Sequence, residues 1–445
     1  MSDLAHQRPR LWALVGLLCI LTVVAVQYLD ANGLMESGAS WWRVLIQTSA
    51  YLGLLLSWWR LRRYGRPLAL SALWALPMLF ALPMHSRDAY SYAAQGWLMS
   101  RGLNPYEVTS GEAGEFGLLV GRHWHDTTSV YPSLSLEIFG LVDRVSGSEL
   151  WVTLVATRLL NVAALGVLAF ALSRIARRVG VAAPFVWWLG IANPVVLVQW
   201  IGGAHNDAIM VAFMSVAIAL ACQPGWLMLA LSGVALGTAM GIKQSAALAG
   251  LGLVAVAWER RRQHGGWLRL ALVAALPGAL SVLTFLAWSA SSGLAPFGWN
   301  EKSAGNPVAA PSNAPLSWVA SFVRFHELAL PAVANQTIAT FSYGLILVTL
   351  LGLWIWIGPK SRNSGKPWLF LILSMLSFGV LGPAMQPWYL TWIIPFFAFA
   401  RSRWWGPLIV GFTLLAALQD AVPPYVSMAL VAPAVLATWV WNPRA

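Results

Sequence analysis

Three short stretches of this sequence carry side chains that could do chemistry. Asp88 stands in His85-Ser86-Arg87-Asp88-Ala89-Tyr90. A carboxylate near an apolar phase, with aromatic rings around it, has a raised pKa and can serve as a general base; the alternative is an N-cap for a helix over Ala89 to Arg101. His205-Asn206-Asp207 follows Gly202-Gly203-Ala204 and precedes an apolar run. It either caps that helix or, with the helix N-terminus, holds a phosphate or a sugar hydroxyl. Lys243 has no other Lys or Arg between Arg178 and Arg260. It follows Gly233, Gly237 and Gly241, a small-residue ladder that lets helices pack closely. A lysine at membrane depth needs an anionic partner or a route to the interface, and a phosphate is the partner we expect. The string Gly237 to Lys243 is not a P-loop, because its spacing is wrong and no Ser or Thr follows the lysine. His123-Trp124-His125-Asp126 lacks the further ligands of a metal site. We predict no metal and no required cofactor. Trp388 beside Tyr389 could stack on a sugar or a prenyl chain.

The elements that position these residues follow from composition. Of 445 residues, 58% are apolar and only 10% are Asp, Glu, Lys or Arg, against about 25% charged in an ordinary soluble domain. So few charges exclude a soluble enzyme, and such hydrophobicity excludes disorder. The class is an all-α polytopic membrane protein, with about 14 spans at ~20 apolar residues each. The net charge of +12 sits in short clusters between apolar runs, such as Arg60 to Arg66, Arg174 to Arg178, Arg260 to Arg262, Lys360 to Lys366, and Arg401 with Arg403. That is the positive-inside pattern, a statement of topology and not a nucleic-acid footprint. Cys19 and Cys222 both lie in apolar runs, so no disulfide is expected.

The run Leu11 to Leu29 is long for a signal peptide and reads as a retained first span with the N-terminus inside. The second span lies between Trp41-Trp42 and Trp58-Trp59, and the third runs from Pro67 to Pro83. One integral membrane unit is predicted over 1–445, with an outside loop over 84–148 and a second over 290–335. The first loop carries amphipathic pieces at Ala89 to Arg101 and Leu134 to Val145, suited to the membrane surface. Further spans are expected at 150–173, 182–201, 246–258, 388–400 and 425–441, among others. Two pairs of short segments are interrupted, at Gly241 to Ser245 and at Pro383 to Pro387. Irregular backbone at membrane depth is tolerated only where it is buried or lines a wet cavity. By parity both breaks, Asp88 and the Gly202 to Asp207 turn share the outside face. This convergence of distant polar elements predicts the site.

The motifs also resemble a known family. Ser86-Arg87-Asp88-Ala89-Tyr90-Ser91-Tyr92-Ala93-Ala94-Gln95-Gly96 and Gly102-Leu103-Asn104-Pro105-Tyr106 resemble the first outside loop of the polyprenol-phosphate-mannose-dependent α-1,6-mannosyltransferases of actinobacterial lipomannan and lipoarabinomannan synthesis. Gly202 to Asp207 and Gln386-Pro387-Trp388-Tyr389-Leu390-Thr391-Trp392 resemble later motifs of that family. The resemblance implies a GT-C glycosyltransferase fold in a bacterial plasma membrane. Both termini would be cytoplasmic and the active site extracytoplasmic. It implies a polyprenyl-phosphate-mannose donor, a mannan or glycolipid acceptor, and inversion from a β-linked donor to an α product. The family's base falls on Asp88. We assign the donor phosphate to Lys243, Arg87 and His205, and the substrate pocket to Tyr90, Tyr92, Gln95, Asn206, Asp207, Gln244, Gln386, Trp388 and Tyr389. Phosphate leaves as an anion, so one base suffices where a glycosidase needs two carboxylates. The alternatives are a transferase with another polyprenol-linked sugar or acceptor, and a lipid-linked-sugar flippase. Broken helices beside buried charges are also a transporter signature, although the two halves of this sequence show no matching repeats.

Overall fold

The computed structural model describes residues 2–31, 41–261, 266–301, 314–328, 330–357, 366–400 and 405–418, with Val431. The span expected at 425–441 lies outside the described residues apart from Val431, as do Lys360, Arg362, Arg401 and Arg403. Among the described residues the structure is helical throughout, with no strand. The longer helices are α1 (Ser2–Ala31), α2 (Trp41–Arg60), α3 (Pro67–Leu79), α4 (Asp88–Ser100), α5 (Ser133–Ser146), α6 (Leu150–Val179), α7 (Ala183–Gly190), α8 (Asp207–Ala221), α9 (Trp226–Ile242), α10 (Leu248–Arg261), α11 (Trp267–Ser292), α12 (Pro315–Phe325), α13 (Pro331–Ile357), α14 (Lys366–Leu381) and α15 (Trp405–Leu418). Four stretches, Pro9–Leu29, Leu150–Val179, Trp267–Ser292 and Val333–Ile357, are long and apolar enough to cross a membrane. A fifth is the pair Ala183–Gly190 and Pro194–Gly202, if that bent pair is one span. These are the helices of a membrane protein.

Helix α6 shows how the apolar surface is shared between protein and lipid. Arg158, Asn161, Leu165, Leu168, Leu172 and Ile175 recur at helical spacing and are buried. Leu159, Val162, Val167 and Phe170 lie exposed between them. A soluble helix would carry polar residues on that outer face; here it is apolar. The helix stops where Gly180 takes a left-handed φ of +76°, and the N–H groups of Gly180 and Val181 both donate to the Ala176 carbonyl.

Two glycines of the α9 ladder explain its packing. A Cβ on Gly233 would come within 2.5 Å of the Pro277 carbonyl oxygen, and one on Gly237 within 2.3 Å of that of Ser281. Helices α9 and α11 therefore touch backbone to backbone, as small-residue interfaces allow. At the site end, α4 and α5 cover nearly the residues that the amphipathic pattern predicts.

Several expected spans take another form. The stretch 182–201 is not one straight helix: α7 ends at Gly190, a short helix restarts at Pro194–Leu197, and a π-turn runs over Val198–Gly202. The two halves meet at 54°. Pro194 cannot donate a backbone hydrogen bond, and the Asn193 side chain accepts from the Val195 N–H, so the chain restarts there. The stretch 388–400 is a chain of short turns, 3₁₀ at Pro387–Trp392 and Ile394–Phe396, then Phe397–Ala400. Pro395 removes an N–H that a continuous α-helix over this stretch needs, whereas Pro387 stands at the first position, where a helix tolerates it. The third helix ends at Leu79, short of Pro83. The break after Gly241 falls at Lys243, whose backbone is extended, with a 3₁₀ turn Gln244–Ala247 beyond it.

Candidate active site

The site is built where α4, the Gly202–Asn206 turn, the end of α9 and the Pro387–Trp392 turn meet. Asp88 is the first residue of α4. The N-cap position belongs to Arg87, and no side chain caps the helix. Capping therefore does not account for Asp88, whose own N–H donates to Ser86 Oγ at 3.0 Å. Its Oδ2 lies 3.7 Å from His205 Nδ1, with side-chain exposures of 13% and 0% for the two residues. The hydroxyl of Tyr92, one turn along α4, lies 3.5 Å from the same nitrogen. The Tyr131 hydroxyl donates to that of Tyr92 at 3.3 Å. The imidazole of His205 stacks on Trp388 at 4.0 Å and 19°.

Beside this group lies a buried ion pair. Lys243 Nζ donates to both carboxylate oxygens of Asp207 at 2.9 and 3.0 Å. The indole N–H of Trp392 donates to Asp207 Oδ1. Aromatic faces surround the ammonium, with the Tyr389, Trp392 and Tyr131 ring centroids at 4.9, 5.5 and 5.9 Å. The anionic partner that the sequence requires of Lys243 is, in this structure, a carboxylate of the protein.

Burial pushes the Asp88 carboxyl up from 3.8 to about 6, against the opposing pull of Lys243 and of the Ser86 hydrogen bond. Burial, with help from Lys243, pushes His205 well below its ordinary 6.5, so the imidazole is neutral at pH 7. The Asp88–His205 contact is therefore a polar contact and not an ion pair. His205 Nε2 and Asn206 Oδ1 are buried with no hydrogen-bond partner among the described residues. Such orphans are rare in folded interiors, and here two adjacent residues hold them.

The turn that carries His205 is held from α6. Arg158 is fully buried, yet it meets no carboxylate among the described residues. It donates to the carbonyl oxygens of Ile201 (2.9 Å), Gly202 (3.0 Å), Ala81 (2.6 Å) and Leu79 (3.2 Å). One turn on, Asn161 Nδ2 donates to the carbonyls of Trp200 and His205 at 2.7 and 3.1 Å. The Ser135 hydroxyl of α5 donates to the Ile242 carbonyl at 2.7 Å and accepts from Asn206 Nδ2 at 3.1 Å, which ties the His205 turn to the end of α9. Replacing the Arg158 fork by Arg158→Leu leaves those carbonyls without their donor, at about 1–3 kcal/mol each. We expect that variant to lose folded protein, measured as yield and melting temperature in detergent; wild-type stability would show the clamp to be dispensable.

Of the residues assigned from sequence, the structure gathers Asp88, Tyr92, His205, Asn206, Asp207, Lys243, Trp388 and Tyr389. Gln95 lies two turns along α4 on the same face as Asp88. Gln244 donates to the Val130 carbonyl at 3.5 Å, while its Oε1 is buried without a partner among the described residues. Gln386 stands at the N-cap of the Pro387–Trp392 turn. Two residues are not brought in: Arg87 is exposed, and Tyr90 packs on the far face of α4 with Ala89, Leu154 and Ala204. Tyr131, Trp392 and Arg158 were missed. The signal for Arg158 was present, since an arginine inside an apolar run invites a functional or structural explanation. Among the described residues no group of three or more His, Cys, Asp or Glu could hold a metal ion, and His125 pairs with Asp126 at 2.6 Å.

Comparison with known proteins places this arrangement in a lineage. The family described as alpha-(1->6)-mannopyranosyltransferase, N-terminal domain, matches residues 10–260, a stretch that holds Asp88, Tyr131, Arg158, His205, Asp207 and Lys243. The chain is 35% identical over 195 residues to alpha-(1->6)-mannopyranosyltransferase A of Corynebacterium glutamicum, covering 43% of this chain and 38% of the relative. It is 31% identical over 349 residues to alpha-(1->6)-mannopyranosyltransferase A of Mycobacterium tuberculosis, covering 73% and 63%. A probable alpha-(1->6)-mannopyranosyltransferase of Mycolicibacterium smegmatis is 28% identical over 383 residues, covering 78% and 67%. The matched parts thus span from 38% to 67% of these relatives' own length. With more than half of its length matched by the family, this chain belongs to the alpha-(1->6)-mannopyranosyltransferases.

Proposed function

We propose that the chain is an inverting mannosyltransferase of GT-C fold, moving mannose from polyprenyl-phosphate-mannose to a mannan or glycolipid acceptor in α-1,6 linkage. One observation carries the reading. A largely buried carboxylate, Asp88, has its pKa raised to about 6 and lies against a neutral histidine, while an ammonium in an aromatic box lies close by. The first is the equipment of a base poised near neutral pH, and the second suits a phosphate that gains charge as it leaves. In the reaction, Asp88 accepts the proton of the acceptor hydroxyl as that oxygen bonds to the anomeric carbon. The carbon–phosphate oxygen bond breaks, and its electrons leave with the phosphate. Lys243 meets the growing charge, held in place by Asp207, and His205 donates a hydrogen bond without adding charge. No metal or cofactor enters this scheme.

A polyprenyl chain stays in the bilayer, so the phosphate must be met near the headgroup plane. We infer a multi-pass topology of about 14 spans, with cytoplasmic termini and this site on the extracytoplasmic face of a bacterial plasma membrane. The positive-inside distribution of charge supports that orientation.

The test is mannose transfer in membranes that express the chain, supplied with polyprenyl-phosphate-mannose and a short α-1,6-mannoside. A new glycosidic bond supports the reading. Movement of the lipid-linked sugar across the bilayer without a new bond would move the assignment to a flippase. The pH profile adds a second check. The active form of Asp88 is the carboxylate, so the rate is expected to be full above pH ~7 and to fall about tenfold per unit below its pKa of about 6. A profile flat from pH 7 to 5 would remove Asp88 from the role of base.

A further inference from the structure

Between α3 and α4 the chain runs from Phe80 to Arg87 without regular helix, and it delivers Asp88 to the site. Its start is held by Arg158, through the Leu79 and Ala81 carbonyls. Further along, the Met84 N–H donates to the Gly202 carbonyl at 3.1 Å, which lays this segment on the turn that carries His205. The approach is close, since a Cβ on Gly202 would lie 2.5 Å from Met84 Sδ. His85 follows, with a left-handed φ of +60°. A residue with a side chain is uncommon in that region and stays there only where its surroundings hold it. Ala204, just before His205, is left-handed too, at +56°, so each of these two loops carries one such residue. For His85 the hold comes from α2. The Tyr51 hydroxyl is hydrogen-bonded to His85 Nε2, the two ring centroids are 5.6 Å apart, and both residues are buried.

Helix α2 is a firm support for that contact. Tyr51, Leu54 and Trp58 share its buried face. Two turns on from Tyr51, Trp58 stacks on Trp188 of α7 at 4.1 Å and 5°. Each of these two indoles donates to the other residue's backbone carbonyl at 2.9 Å. Yet α2 carries none of the residues assigned to the substrate. Resting on the transferase reading above, we propose that Tyr51 is a positioning residue for the base: through His85 it fixes the turn from Ser86 to Asp88 and keeps the Asp88 carboxylate in reach of the acceptor hydroxyl. Two features argue for it. The link to Asp88 is short, because His85 stands three residues before it and the Asp88 N–H is tied back to Ser86 Oγ at 3.0 Å. A change in the His85 backbone therefore moves the start of α4. The conformation is also a costly one for histidine, so it needs the ring contact that Tyr51 supplies. Tyr51 makes and breaks no bond. It acts on the rate through geometry, where a displacement of about 1 Å costs about 100-fold.

The experiment uses the full chain in membranes with polyprenyl-phosphate-mannose and a short α-1,6-mannoside, and reads kcat per folded enzyme. Tyr51→Phe keeps the ring and its packing and removes only the hydroxyl. It is expected to lower kcat at least about tenfold, with the KM of donor and acceptor unchanged. His85→Ala is expected to match that loss. His85→Gln places an amide nitrogen where Nε2 stands, can bond the Tyr51 hydroxyl, and is expected to recover most of the rate. Because Tyr51 acts through His85, adding Tyr51→Phe to His85→Ala is expected to change kcat by no more than about twofold. Wild-type kcat per folded enzyme in Tyr51→Phe overturns the proposal and leaves the transferase reading standing. So do losses that multiply in the double variant, and so does a Tyr51→Phe protein that fails to accumulate, which would make the contact structural. A wild type that transfers no mannose overturns the transferase reading and this inference together.

Discussion

Asp88→Asn is expected to abolish transfer while the protein accumulates at least as well as the wild type. A positioned general base contributes about 10²–10⁴-fold, and the amide cannot take a proton. The stability half of the expectation comes from the same burial. The Asp88 carboxyl is raised from 3.8 to about 6, so the protonated form suits the folded state better than the carboxylate does. Its favourable contribution is complete below the ordinary value of 3.8 and is lost as pH rises through about 6. At pH 7 the wild type therefore bears a destabilisation of up to ~3 kcal/mol that a neutral asparagine avoids. Transfer and melting temperature in detergent, measured on the same preparations, decide the matter. Lost activity with equal or greater stability identifies a functional carboxylate; lost activity with lost stability would make Asp88 structural.

The second large effect concerns Lys243 and Asp207. Removing one member of a buried pair strands the other charge, at about 3–5 kcal/mol. Lys243→Gln and Asp207→Asn are each expected to lose most folded protein. The double variant Asp207→Asn with Lys243→Gln replaces the ion pair by two amides that can hydrogen-bond, and the new carboxamide would retain an oxygen for the Trp392 N–H, which in the wild type donates to Asp207 Oδ1. It is expected to recover most of the melting temperature and none of the transfer, because no cation remains for the phosphate. Transfer at the wild-type rate by the double variant would show that Lys243 serves the fold alone. Single variants as stable as the wild type would show that the pair is solvated.

Much of this was readable along the chain. The amphipathic spacing that predicts helices at Ala89 to Arg101 and Leu134 to Val145 matches α4 and α5 closely, because one-sided burial writes a 3.6-residue period into local sequence. The interruption near Lys243 was legible from Gly241 and from the short apolar runs around it. The stretch 388–400 reads as a span from sequence because apolar composition over a short run does not separate a helix from successive 3₁₀ turns. Pro395, inside the run, was the available signal.

An α-helical membrane protein, the residue types able to act as base and as cation, and the family were all legible along the chain. Those properties follow from composition, local periodicity and motifs of a few residues. Tertiary structure decided the partnerships. It paired Lys243 with Asp207 across 36 residues, aimed the Trp392 indole at the same carboxylate, left Arg87 exposed, and closed Arg158 onto four backbone carbonyls. Contacts between distant segments depend on how whole helices pack, and no local period encodes which side chain a buried charge will meet.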